Sequence, residues 1–127
     1  MRRSLVAIAA ASLLGTTGAA LAHHSTAMFD LNRKVTVEGT VESFEWTNPH
    51  TWLWLQVPKS GGGTVRYGIE GMSPNFLSRN GWTRTALKPG DKVKVEINPL
   101  KDGQPGGFFV GVTLPDGKVM GIRGTPQ

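Results

Sequence analysis

Apolar and polar residues alternate in short runs along most of the chain, and the runs are separated by glycine- and proline-rich punctuation. From position 35, Val35, Val37, Gly39 and Val41 alternate with Thr36, Glu38, Thr40 and Glu42, the period-two signature of a half-buried strand. The phase then slips, because Phe44 and Trp46 are the next large apolar residues. A bulge near Glu42-Ser43 would re-aim the strand in this way, and Gly39 would let it bend. Thr47-Asn48-Pro49 reads as a turn. The second strand is expected over 50–57, with Leu53, Leu55 and Val57 on one face and Trp52 and Trp54 on the other. A flexible loop over 58–63 leads to a third strand marked by Val65, Tyr67 and Ile69.

Ser73-Pro74 has the form of a helix N-cap followed by proline at the first helical position. The short helix it predicts buries Phe76 and Leu77 and closes at Asn80-Gly81. After a tight turn at Leu87-Lys88-Pro89-Gly90-Asp91, Val93, Val95 and Ile97 mark a fourth strand, and Phe108, Val110 and Val112 a fifth. Pro115-Asp116-Gly117 turns into a short last strand through Val119 and Ile122. Three strands, a short helix, then two or three strands is the element order of a small OB-like Greek-key barrel. The expected fold is therefore all-β, with five or six strands and one short helix between strands 3 and 4. A plain β-sandwich is the competing architecture, since periodicity does not fix strand pairing.

The first 22 residues do not fit this pattern. Arg2 and Arg3 precede an apolar stretch from Leu5 to Leu14, and Ala20-Leu21-Ala22 is a small-x-small cleavage site. The apolar run is far shorter than the ~20 residues that span a bilayer. The expected organisation is a signal peptide over 1–22, an N-terminal extended segment over 23–34, and the barrel domain over 35–127. A periplasmic address follows, with full secretion as the variant, and no stable membrane span remains after cleavage. The formal charge of +5 includes Arg2 and Arg3, so it overstates the charge of the exported chain. The remaining basic residues are scattered, which argues against nucleic acid as a partner. With no cysteine, stability has to come from packing rather than disulfides.

Processing supplies the strongest chemical feature. A cut after Ala22 gives His23 a free α-amine beside its own imidazole, and α-amines titrate near ~8. His24 in second position adds a further imidazole and amide nitrogen, and nitrogen-rich tetragonal sets favour copper(II) or nickel(II). His50, the third histidine of the chain, sits at a turn–strand junction where it could complete the set. Asp30 is the candidate to orient one imidazole ring. The plainer alternatives are a frayed terminus, a His50 that caps its turn, and an Asp30 engaged in turn chemistry with Asn32. Zinc-hydrolase spacing and nucleophile-elbow patterns are absent, so nothing here demands an enzyme. Glu42, Glu45 and Glu70 read as solvated strand positions. A second candidate is a ligand face made by Trp46, Trp52, Trp54 and Tyr67, suited to stacking on sugars or a partner's side chains. Its alternative is that Trp52 packs under the helix or the N-terminal segment.

His23-His24-Ser25, Phe29-Asp30, Trp46-Thr47-Asn48-Pro49-His50, Gly81-Trp82, Lys88-Pro89-Gly90-Asp91 and Pro99-Leu100-Lys101-Asp102-Gly103 together resemble a family of small exported bacterial proteins of unknown function. The resemblance covers essentially the whole chain after the leader. It implies export and a small barrel, and brings no established activity. Where relatives often carry histidine before Pro-Leu, this chain has Asn98, one nitrogen donor fewer. The expected function is a periplasmic binding module that captures copper-type metal through His23, His24 and His50. The alternative is a metal-free interaction protein that holds an envelope protein or glycan on its aromatic barrel face.

Overall fold

The computed structural model describes residues 26–122. Its strands are β1 (Val35–Glu45), β2 (Trp52–Pro58), β3 (Thr64–Glu70), β4 (Lys92–Pro99), β5 (Gly106–Thr113) and β6 (Val119–Gly121), with one helix, α1 (Pro74–Arg79), between β3 and β4. The strand order is β3-β2-β1-β4-β5-β6, and an extra pairing of β3 with β5 closes the first five strands into a barrel. That closing pair is parallel, while all the others are antiparallel. This connectivity, with the helix after β3, is that of an OB-like barrel, and it removes the sandwich alternative.

The long bent β1 does what its phase slip predicts. Val41 pairs with Leu55 and Ser43 with Trp54, so Glu42 is the extra residue of a bulge. Val37 and Val41 face inward before the bulge, and Phe44 packs on the core after it. Gly39 permits a close crossing, because a Cβ there would meet the carbonyl oxygen of Gln56 at 2.8 Å. The core is a continuous cluster in which Leu55, Ile69, Val95 and Ile97 are fully excluded from solvent. A second irregularity lies between Glu96 and Ile97, which pair with Gly111 and Phe109. Phe108, Val110 and Val112 fall on a strand as expected, but Val110 is passed over by the pairing, so Phe109 and Val112 are the buried residues.

Helix α1 starts as its sequence predicts. The Ser73 hydroxyl accepts the backbone N–H of Phe76 at 3.2 Å, and Pro74 occupies the first turn, where no N–H is needed. Leu77 is buried, whereas Phe76 is only half-buried, less than its spacing implies. Ser73→Ala is expected to cost about 1 kcal/mol, read as a lower urea midpoint with an unchanged slope. Beyond the helix, Trp82 closes the barrel end. Its indole N–H donates to the Gly121 carbonyl at 2.9 Å, and its ring meets Phe109 edge-on at 5.4 Å. The void left under this lid is about 10 Å³, at the lower limit for a single water. The barrel interior under this lid is packed.

Candidate functional site

Antiparallel register decides which side chains share the outer face of the β2–β3 hairpin. Trp52 lies opposite Glu70, Trp54 opposite Gly68, and Gln56 opposite Arg66. Trp52 and Trp54 stack side by side, with centroids 5.7 Å apart and planes 15° apart. Trp54 is pinned on both faces. It lies over Gly68, where a Cβ would come 2.6 Å from the ring, and the Arg66 guanidinium covers it at 3.9 Å from the centroid. Its indole N–H donates to Glu45 at 3.0 Å. Arg66 is itself held by Glu42, the bulge residue, through contacts of 2.9–3.0 Å.

Donation by Arg66 and then by Gln56 lowers the Glu42 carboxyl below its ordinary value of 4.5. A depressed folded-state pKa means that this stabilisation is present above pH 4.5 and is lost as pH falls through the lower folded value. An NMR titration of the Glu42 carboxyl is expected to show a midpoint below 4.5, and Arg66→Ala should raise it.

At the other end of this face the chain builds a groove. Phe29 forms a bridge to Leu100, Asp30 N–H donates to Pro99 at 2.9 Å, and Lys101 N–H donates to Met28 at 3.0 Å. Thr26–Met28, a single 3-10 turn, is thereby fastened beside the loop after β4. The buried Phe29 ring packs at 5.5 Å from Phe108. Asn98 ties down the same segment by donating to the Arg33 carbonyl at 2.8 Å, so its amide has a clear structural task. Between this strap and the hairpin lies a groove of about 450 Å³, walled by Trp52, Met28 and Leu100, with Glu70 also lining it.

Glu70 corrects the sequence reading. Far from being solvated, it is 3% exposed, because the strap and the loop after β4 are laid over the end of β3. One of its carboxylate oxygens is 3.4 Å from His50 Nδ1, and that same nitrogen donates to the Gly71 carbonyl at 2.9 Å. A carbonyl can only accept, so Nδ1 carries a proton, and in the neutral ring the lone pair is on Nε2. The turn before His50 contains a cis Asn48-Pro49 bond, and the Thr47 hydroxyl donates to the His50 carbonyl at 2.9 Å.

The other expected site residues separate. Asp30 accepts from the Asn32 backbone at 3.3 Å, which is turn chemistry, and the carboxylate beside a histidine ring is that of Glu70. Tyr67 pairs with Leu55 across the ladder and packs against the core, on the opposite side from Trp52. Trp46 packs edge-on against Phe44 at 5.7 Å and also joins the core. The four-residue aromatic face therefore reduces to Trp52 and Trp54, with one face of Trp54 covered by Arg66. His23 and His24 lie outside the described residues. Among the described residues, no three histidine, aspartate or glutamate side chains gather to hold a metal. No helix among them is long and apolar enough to cross a membrane.

The sequence model of a family of unknown function, DUF6152, matches residues 10–109. No protein of curated function matches the chain. Among solved structures, the chain is similar to a mitochondrial single-stranded DNA binding protein from S. cerevisiae, Rim1. The identity is 16% and the TM-score 0.47, covering 65% of this chain and 94% of that one.

Proposed function

Since the chain belongs to the DUF6152 family, whose function is unknown, we propose a function from its own residues: it is an exported, periplasmic binding module for copper-type metal. Cleavage after Ala22 would free the α-amine of His23, and that amine, the His23 ring and His24 supply the first donors. His50 supplies a further imidazole to complete the set. Glu70 takes the role first given to Asp30, holding the His50 ring from its Nδ1 side.

One observation carries this reading. The strap that begins at Thr26 runs along the groove lined by Ala27 and Glu70, and Glu70 touches His50. His23 and His24 shortly precede that strap in the chain. An extended chain covers ~3.3–3.6 Å per residue, so the new terminus has a reach on the order of 10 Å from Thr26. Tethering of this kind raises the local concentration of one donor set near the other.

Native mass spectrometry of the exported protein with copper(II) tests the cut and the ligand together. The expected result is one copper on a chain that starts at His23, and none on a chain trimmed to Thr26. A trimmed chain that keeps its copper would remove the terminal histidines from the mechanism.

A further inference from the structure

We propose that the Trp52 groove is a binding site for a neutral saccharide, independent of any metal at the chain terminus. Both members of the Trp52–Trp54 pair are half-buried, but only Trp52 lines the groove, and its neighbour is held in place by Gly68 and Arg66. A flat indole held rigidly at a groove wall is a stacking surface for the C–H face of a pyranose ring, as it is for other flat or apolar rings. The groove volume of about 450 Å³ lies within the range of small-ligand sites.

Charge separates a saccharide from a nucleic acid. The polar rim of the groove is Asp102, Lys101 and Gln104, and the buried Glu70 carboxylate lies deeper along the same lining. On the adjoining platform Glu45 accepts from the Trp54 indole, and Glu42 already engages Arg66. A phosphate backbone would thus meet carboxylates on both sides, with Lys101 the one cation lining the groove among the described residues. Binders of single-stranded nucleic acid combine aromatic stacking with a positively charged groove, and this surface has only the first half. Sugar hydroxyls supply the donors that carboxylates and a glutamine amide oxygen accept.

The walls are also pre-formed. Backbone hydrogen bonds from Asp30 to Pro99 and from Lys101 to Met28 fasten the strap to the loop, so little ordering accompanies binding.

The test uses the chain from His23 with EDTA present, so that copper plays no part. N-acetylglucosamine tetrasaccharide, maltotetraose, cellotetraose and a twelve-residue oligothymidylate are titrated separately, following tryptophan fluorescence and amide and indole N–H shifts. At least one saccharide is expected to shift the Trp52 indole and Gln104 signals and to bind more tightly than the oligonucleotide. Trp52→Ala should weaken that binding roughly tenfold. Gln104 is exposed on the loop, so Gln104→Ala keeps the fold and should weaken binding more modestly. The proposal is overturned if no saccharide perturbs these signals at millimolar concentration. Tighter binding of the oligonucleotide, or undiminished saccharide binding by the Gln104 variant and by a folded Trp52 variant, would overturn it as well. A negative outcome here leaves the copper reading untouched, and copper binding without saccharide binding leaves this one refuted.

Discussion

Replacing Gly107 with alanine is expected to destabilise the barrel by about 3 kcal/mol or more, beyond the usual range for an added methyl group. Gly107 lies where three strands converge, pairing with Pro99 on β4 and with Ile69 on β3. A Cβ at this position would collide with the Asn98 carbonyl oxygen, and it would stand 2.9 Å from the Ile97 Cδ1 and 3.1 Å from the Asn98 carbonyl carbon. An overpacked flexible side chain can swing away, but here the obstacle is the backbone of a central strand. Relief requires β4 and β5 to part, and the parallel β3–β5 seam that closes the barrel parts with them. Gly111→Ala is the control, since its nearest neighbour would be the Met120 carbonyl oxygen at an ordinary 3.4 Å. Urea unfolding should show a large drop in midpoint for the first variant and a small one for the second. Equal midpoints would show that the seam does not depend on glycine at this position. Because Gly107 also lines the groove, a folded Gly107 variant should change the Trp52 indole signal.

Moving the α-amine away from His23 is expected to weaken copper(II) binding by about a hundredfold or more. Loss of partners that merely orient a metal ligand already costs roughly 10–100-fold, and the amine is proposed to bind directly. The suitable variant carries four extra residues, Gly-Ser-Gly-Ser, before His23, or an acetylated terminus. A single added residue is a poor choice, because it would place His24 third in the chain, where amine, two amides and imidazole could still encircle copper. Titration calorimetry at neutral pH reads the change. Since an α-amine titrates near ~8, binding should also weaken as pH falls below neutrality and protons compete for it. Affinity unchanged by the extension or by acetylation would exclude the amine as a ligand. His50→Ala is expected to have a smaller effect, because its ring joins a set that the terminus already begins.

Features legible in the sequence are those set by neighbours within a few residues. The bulge at Glu42 follows from a local slip of phase, the Ser73 cap from a hydroxyl next to proline, and the packed core strands from simple alternation. The outward placement of Trp52 and Trp54 was visible in the same way, opposite Leu53 and Leu55. The same alternation puts Tyr67 in phase with Val65 and Ile69, and Trp46 in phase with Phe44, which is the core side for both. Trp46 follows the end of β1 and packs on Phe44, while Tyr67 is assigned to the core face by its pairing with Leu55. The inward turn of Phe109 could not be read the same way, because the second bulge, opposite Glu96 and Ile97, depends on how β5 aligns with β4. A signal for Glu70 was available in hindsight. It continues β3 past Ile69 and stands across from Trp52, but nothing local says that a distant segment will cover it.

By itself, the sequence determined the strand periods, the helix start, the barrel-type element order and the expectation that processing exposes His23. These depend on covalent order and on backbone preferences that act over a few residues. Only the tertiary structure decided that Glu70 is buried beside His50, that Arg66 covers Trp54, and that Trp52 walls a groove. Each of those depends on chain closure between distant parts: β3 against β5, and residues 26–30 against residues 99–101. Burial of a strand-end side chain is set by what is laid over it, and the covering segments here lie about forty or thirty residues away in either direction along the chain.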